Sequence, residues 1–241
     1  MYIDNILRLS GSGQQVTTTA VSTDTIDLAA ATFPQARDIG EGRTVMVNFV
    51  PTVAATSAAA DTTVEFQVIV STFAAPKTVT FTNGTEKVNC TAHGLVDGQE
   101  IRFYLNATGV MPTGLSALTT YYVKAATASD FEVALSPGGA TVTFTDDGTA
   151  AVSVLPQIVV GSSGPILHST LTVPTGGAAI PHPVEINPKV ASLGARYLMA
   201  RYQVRTGANA AGTLTAGTFL ADLVMGIQDG RKYYASGFAV T

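Results

Sequence analysis

Thr78-Val79-Thr80-Phe81-Thr82, with Asn83-Gly84-Thr85 directly after it, returns almost unchanged as Thr141-Val142-Thr143-Phe144-Thr145, with Asp147-Gly148-Thr149 just beyond. In each copy threonine alternates with Val and Phe at a period of two, the spacing of a strand with one buried face. The Asn-Gly and Asp-Gly pairs that follow admit positive φ and predict tight hairpin turns. The two copies bracket a stretch that reads as a self-contained β module, residues 76–154. It interrupts a second all-β domain assembled from residues 1–75 and 155–241. Nesting one domain in another requires a host loop whose ends lie close together, which exposed turns provide.

Outward from the module, alternation continues. Val45, Val47 and Phe49 oppose Met46 and Asn48, and Val64, Phe66, Val68 and Val70 oppose Glu65, Gln67 and Ile69, which predicts two half-buried strands. Between them Thr52 to Asp61 reads as a long loop of small residues. Gln157–Val160 and Ile166–Val173 read as separate strands divided by Gly161-Ser162-Ser163-Gly164-Pro165. Pro174 to Pro188 is turn-rich, so a strand there is short or lies at an edge. In Arg196–Arg205, Leu198, Ala200, Tyr202 and Val204 face one way and Tyr197, Met199, Arg201, Gln203 and Arg205 the other. Phe219–Ile227 and Lys232–Val240 complete the set, with Gln14–Val21 and Asp24–Leu28 at the start. Eight or nine strands predict an antiparallel jelly roll or β-sandwich.

Inside the module, Ile101-Phe103-Leu105, Tyr121-Val123-Ala125 and Phe131-Val133-Leu135 alternate over short lengths. Turns at Asp97-Gly98, Pro112-Thr113-Gly114 and Pro137-Gly138-Gly139 separate them.

Of the 241 residues, 46% are hydrophobic and only 12% charged, about half the usual charged share. Hydroxyls are far cheaper to dehydrate than ions, so a surface of Thr, Ser and Ala suits burial against a partner. A net charge of -4 and scattered basic residues exclude a nucleic-acid stripe. No apolar run reaches membrane-spanning length, and Met1-Tyr2-Ile3-Asp4-Asn5 carries acid where a secretory signal carries base, so synthesis in a cytoplasm is expected. The single cysteine, Cys90, allows no internal disulfide and reads as a small core residue.

Catalysis finds little support. His93, His168 and His182 have no His, Cys or carboxylate at a metal-ligand spacing, and the reading is two loop histidines and one in a sheet. There is no Gly-x-Ser-x-Gly elbow, no Lys-bearing phosphate loop at Gly11-Ser12-Gly13 or Gly161-Ser162-Ser163-Gly164, and Asp146-Asp147 supplies two adjacent oxygens where calcium needs alternating ones. Neither catalytic residues nor cofactors are expected. The sequons at Asn83, Asn89 and Asn106 count only in a secreted eukaryotic chain. Sugar stacking lacks Trp, although Tyr121-Tyr122 and Tyr233-Tyr234 remain.

Val21-Ser22-Thr23-Asp24-Thr25-Ile26-Asp27-Leu28, Asp38-Ile39-Gly40-Glu41-Gly42, Arg196-Tyr197-Leu198 and Gly212-Thr213-Leu214-Thr215-Ala216-Gly217 give the outer chain its character. In these motifs it resembles the capsid cement, or decoration, proteins of tailed bacteriophages. The module, with Ala92-His93-Gly94-Leu95, Asp97-Gly98, Leu115-Ser116, Thr120-Tyr121-Tyr122-Val123 and Phe131, is similar to a small β unit appended to phage tail and virion proteins. The resemblance implies a jelly roll that forms homodimers on the outside of a capsid and clamps neighbouring major-capsid subunits. It carries no catalytic residues.

Two functions follow as expectations. The first is a virion structural protein that binds across major-capsid subunits and stabilises the shell, with multivalency supplying strength. Ile3, Ile6, Leu7 and Leu9, ahead of a Gly-Ser-Gly hinge, are its expected partner anchors; a first strand of the protein's own core is the alternative reading of the same stretch. The second is a virion-surface module that recognises a host glycan through the inserted domain.

Overall fold

The computed structural model describes residues 8–28, 45–105, 108–117, 119–149, 151–175, 179–186, 195–207 and 210–225. Fifteen strands run in the order β1 (Arg8–Gln15), β2 (Ala20–Val21), β3 (Ile26–Asp27), β4 (Val45–Thr56), β5 (Thr63–Ser71), β6 (Lys77–Thr82), β7 (Lys87–Asn89), β8 (Glu100–Leu105), β9 (Tyr121–Lys124), β10 (Asp130–Ala134), β11 (Val152–Pro156), β12 (Ile158–Leu167), β13 (His182–Glu185), β14 (Tyr197–Arg205) and β15 (Ala216–Met225). A 3₁₀ turn, His168–Thr170, follows β12.

The strands form an antiparallel sandwich and a barrel. One sandwich sheet has the order β1-β15-β4-β13; the other has β12-β5-β14-β2, with β3 also on β14. The expected alternation packs them together. Val47 and Phe49 of β4, Val64, Phe66, Val68 and Val70 of β5, Leu198, Ala200, Tyr202 and Val204 of β14, and Phe219, Ala221 and Leu223 of β15 share one buried core. At its centre Phe49 stacks on Phe66 at 4.8 Å and Tyr202 on Phe219 at 5.6 Å, with edge contacts joining the two pairs. The buried Tyr202 hydroxyl meets Ser10 Oγ at 2.7 Å, which satisfies the one polar atom of that cluster.

The six strands β6 to β11, consecutive in the chain, close into a barrel of order β10-β7-β6-β11-β8-β9. Its first and last strands are neighbours, Val152 opposite Val79 and Val154 opposite Lys77, so the chain leaves beside the point where it came in. Phe81, Phe103, Tyr121, Phe131 and Val152 fill the interior. Phe81 meets Phe103 edge-on at 5.5 Å and Phe144 at 5.8 Å.

The second copy of the Thr-Val-Thr-Phe-Thr repeat departs from expectation, since only Thr141 bridges, to Ala134, and no strand forms over 141–145. β6 is already paired on both sides, by β7 and β11, so the closed barrel offers this copy no edge. Loop groups take its amides instead: Glu86 Oε2 accepts from Phe144 N at 2.8 Å and the Thr113 carbonyl from Thr145 N at 3.1 Å. Phe144 keeps its inward role. The Asn83-Gly84 turn is also longer than a two-residue hairpin, with Gly84 and Glu86 at positive φ.

Three further expectations change. β4 continues to Thr56, which shortens the predicted loop. Gly161 to Pro165 lies inside a single strand, β12, where two register irregularities absorb it. β12 is a sheet edge, and an edge tolerates a proline that cannot donate. Gly11-Ser12-Gly13 is part of β1, paired to β15, and not a hinge. The strand in the turn-rich region is short and at an edge, as expected: it is β13. Asp38–Gly42 and Lys232–Val240 lie outside the described residues.

Candidate interaction surfaces

The histidines are scattered, and two of the three, His168 and His182, exchange their expected places. His93 is in a turn, where its Nδ1 accepts from Leu95 N at 2.9 Å and its ring meets Phe131 at 5.2 Å. His168 lies in the 3₁₀ turn with Nδ1 3.0 Å from the Thr62 carbonyl. His182 is the one in a strand, against Phe66, and burial holds its pKa below the ordinary value. No group of three or more His, Cys, Asp or Glu side chains suited to a metal occurs among the described residues. Cys90 is buried in the barrel core, and burial pushes its thiol pKa up, away from the reactive thiolate.

The carboxylates are engaged with the chain itself. Asp24 accepts from Gly11 N at 3.1 Å, Asp61 from Gly207 N at 3.0 Å, Glu86 from Phe144 N at 2.8 Å and Asp97 from Ala126 N at 2.8 Å. Asp146 accepts from Thr113 N at 3.0 Å and Gly148 N at 2.9 Å, and Asp147 from Asn83 N at 2.6 Å. Asp27 holds Arg196 through two bonds of 2.9 and 2.6 Å, and Lys87 sits 3.2 Å from both Asp130 and Glu132. Hydrogen bonds, first from the Thr113 side chain and then from the Gly148 and Thr113 amides, hold the Asp146 carboxyl below its usual range. These carboxylates stay charged at the surface, where charged residues are few, at 12% of the chain.

Exposed aliphatic side chains occur both on the sandwich and at the barrel end. On the sandwich, Ile158 and Leu167 lie on β12 and Ile180 precedes β13, at 37%, 42% and 56% exposure. Here the edges of the two sheets come together: a Cβ built on Gly161 would stand 2.3 Å from the Glu185 carbonyl oxygen. At the barrel end remote from the sandwich, the β6–β7 turn and the described parts of the β8–β9 and β10–β11 loops interlock. Asn83 Nδ2 donates to the Thr145 carbonyl at 3.1 Å, and Thr149 N donates to the Val110 carbonyl at 2.9 Å. Leu105, Val110 and Leu135 are exposed in these segments. The side-chain amide of Asn89 is also engaged, with Thr82 Oγ1 at 3.0 Å. Tyr121 is buried with its hydroxyl accepting from Ser116 N, which removes it as a sugar platform.

Of the four expected anchors, Ile3, Ile6 and Leu7 lie outside the described residues. Leu9 is corrected: it is fully buried in the sandwich core on β1, and a side chain enclosed by its own domain has no surface to offer a partner.

One site escaped the sequence reading altogether. The face of β5 and β14 that carries Ile69, Met199 and Arg201 is covered, because the barrel sits on it and a single apolar cluster runs from Ile69 and Met199 into the barrel. Arg201 is fully buried there. Its Nη1 donates to Gln67 Oε1 at 2.9 Å, and the barrel's Tyr104 ring lies 5.7 Å from its guanidinium. Gln157 joins the Tyr104 hydroxyl. The apolar Ile69 and Met199, on otherwise polar outward rows, were the available signal.

The family pattern designated Bbp16 matches residues 10–135, a little over half of the chain. The chain belongs to the Bbp16 family. The Bbp16 match begins in β1 and ends just past β10, so it crosses from the sandwich into the barrel. No curated protein and no solved structure matches the chain. No helix among the described residues is long and apolar enough to cross a membrane.

Proposed function

We propose that this Bbp16 protein is a structural virion component, a cement protein that lies on the outside of a phage head and ties neighbouring major-capsid subunits together, most simply as a homodimer. The observation that carries the reading is the scarcity of charge, at 12% of the residues. Six carboxylates cap backbone amides of the chain, and the remaining surface of Thr, Ser and aliphatic groups loses little on dehydration. The joined edges of β12 and β13, with Ile158 and Leu167 at the two ends of β12 and Ile180 just before β13, are the contact surface of choice. The resemblance of the outer chain to decoration proteins points the same way.

The test is decoration of expanded, cement-free heads by purified protein, read by electron microscopy. Binding is expected, and replacing Ile158, Leu167 and Ile180 with Asp should weaken it at least about tenfold with unchanged melting, since an anchor loss above 1.4 kcal/mol is tenfold in affinity. A protein that never attaches to heads refutes the reading.

The interlocked loops at the barrel end support a second reading, recognition of a neutral host glycan, because they present exposed side chains on a fixed backbone. Val110→Asp with Leu135→Asp should then abolish glycan or cell binding while decoration persists.

A further inference from the structure

We propose that His93 is a proton-operated latch of the barrel: the neutral ring closes the turn over residues 91–95, and the protonated ring releases it and uncovers the Cys90 thiol while the sandwich stays folded.

His93 stands at 2% exposure between two residues in the left-handed region, Ala92 at φ 52° and Gly94 at φ 63°. Its Nδ1 accepts from the Leu95 amide, two residues on, at 2.9 Å. An imidazole nitrogen that accepts carries no hydrogen, so the proton of the neutral ring sits on Nε2, which is buried without a hydrogen-bond partner. A second proton has to go to Nδ1, where it would point straight at the Leu95 N–H. The closed turn and the charged ring therefore exclude each other. Opening also relieves Ala92, which carries a Cβ at positive φ.

The groups around the latch leave that exclusion in place. From β10, Phe131 meets the ring at 5.2 Å and the Asp130 carboxylate acts on it through space, but Asp130 is shared with Lys87 at 3.2 Å and gives Nε2 no hydrogen bond. From β6, Lys77 Nζ donates to the Ala92 carbonyl at 2.9 Å, which puts a like charge on the same turn. Cys90 and Leu95, on either side of the ring in sequence, both belong to the barrel core. A turn that opens takes Leu95 out of that core and strips the cover from Cys90. The core between the two sandwich sheets is a separate cluster that none of these residues joins.

An open turn frees an ordinary histidine, which ionises near about 6.5, so lowering the pH from 7.5 to 5 should raise the open fraction about thirtyfold. In the full chain the single cysteine reports the opening. The rate of Cys90 with dithiodipyridine, divided by that of free cysteine at each pH, should rise at least about tenfold over this range. Protection of the Leu95 amide against hydrogen exchange should fall by the same factor, and that of the Phe66 and Tyr202 amides in the sandwich should hold. His93→Asn keeps a side-chain acceptor for the Leu95 amide, as an Asx turn, and takes up no proton, so its thiol ratio should stay flat. A smaller rise in the parent protein overturns the proposal. Equal loss of protection in barrel and sandwich overturns it as general acid unfolding, and these two measurements decide the matter even if His93→Asn fails to fold. A His93→Asn variant that opens in acid as the parent does overturns it as well, since the sensor then lies elsewhere.

Discussion

Asp146 joins two loops of the barrel end through the amides of Thr113 and Gly148, and those bonds favour its ionised form. A carboxyl whose folded pKa is lowered adds stability above the ordinary carboxylate range and loses it as pH falls through the lowered value. Asp146→Ala should therefore speed hydrogen exchange at Thr113 and Gly148 about tenfold or more near neutral pH, with little change in Tm. Acidification should reproduce the effect in the parent protein. Unchanged exchange at both amides would refute the role. Leu9 makes the opposite kind of contribution, through burial: Leu9→Ala should cost about 2–5 kcal/mol in chemical denaturation, and a loss below about 1 kcal/mol would argue against the core assignment. The sequence around Leu9 left this open because a short apolar run before Gly-Ser-Gly is the same in a docking arm and an edge strand. The partner strand, β15, decides between them and lies over 200 residues away.

Strands were legible where side chains alternate and obscure where backbone geometry governs. β5 and β14 follow their predicted alternation residue by residue, since each has one face in the sandwich core. β12 was divided at Gly161-Ser162-Ser163-Gly164-Pro165, because bulges leave the same glycine and proline signature as turns. Its irregularity has a purpose at Gly161, where the carbonyl of Glu185 on β13 comes too close for any side chain. Gly161→Ala should separate the joined edges and cost roughly 1–3 kcal/mol, measured as a lowered denaturation midpoint. A neutral substitution would show that the edges are free to part. The Thr141–Thr145 repeat shows the converse limit: good strand sequence forms a single bridge and no strand where β6, its sequence twin, already has two neighbours.

At the scale of the molecule, the nested order of strands was readable from repeats and turns, whereas the seating of the barrel on the sandwich was not, because no local pattern marks a sheet face as covered. Excising residues 77–156 with a short Gly-Ser link should lower Tm and promote aggregation, since Ile69, Met199 and Arg201 lose their cover. Ile69→Thr with Met199→Thr should restore solubility, measured by size-exclusion chromatography; an excised chain that is monomeric and equally stable without them would contradict the packing. The scarcity of charged residues also bears on kinetics. With 12% charged residues and a net charge of -4, the protein steers partners weakly, so its encounters run near the unguided rate of roughly 10⁵–10⁶ M⁻¹s⁻¹. Durable attachment then has to come from slow departure.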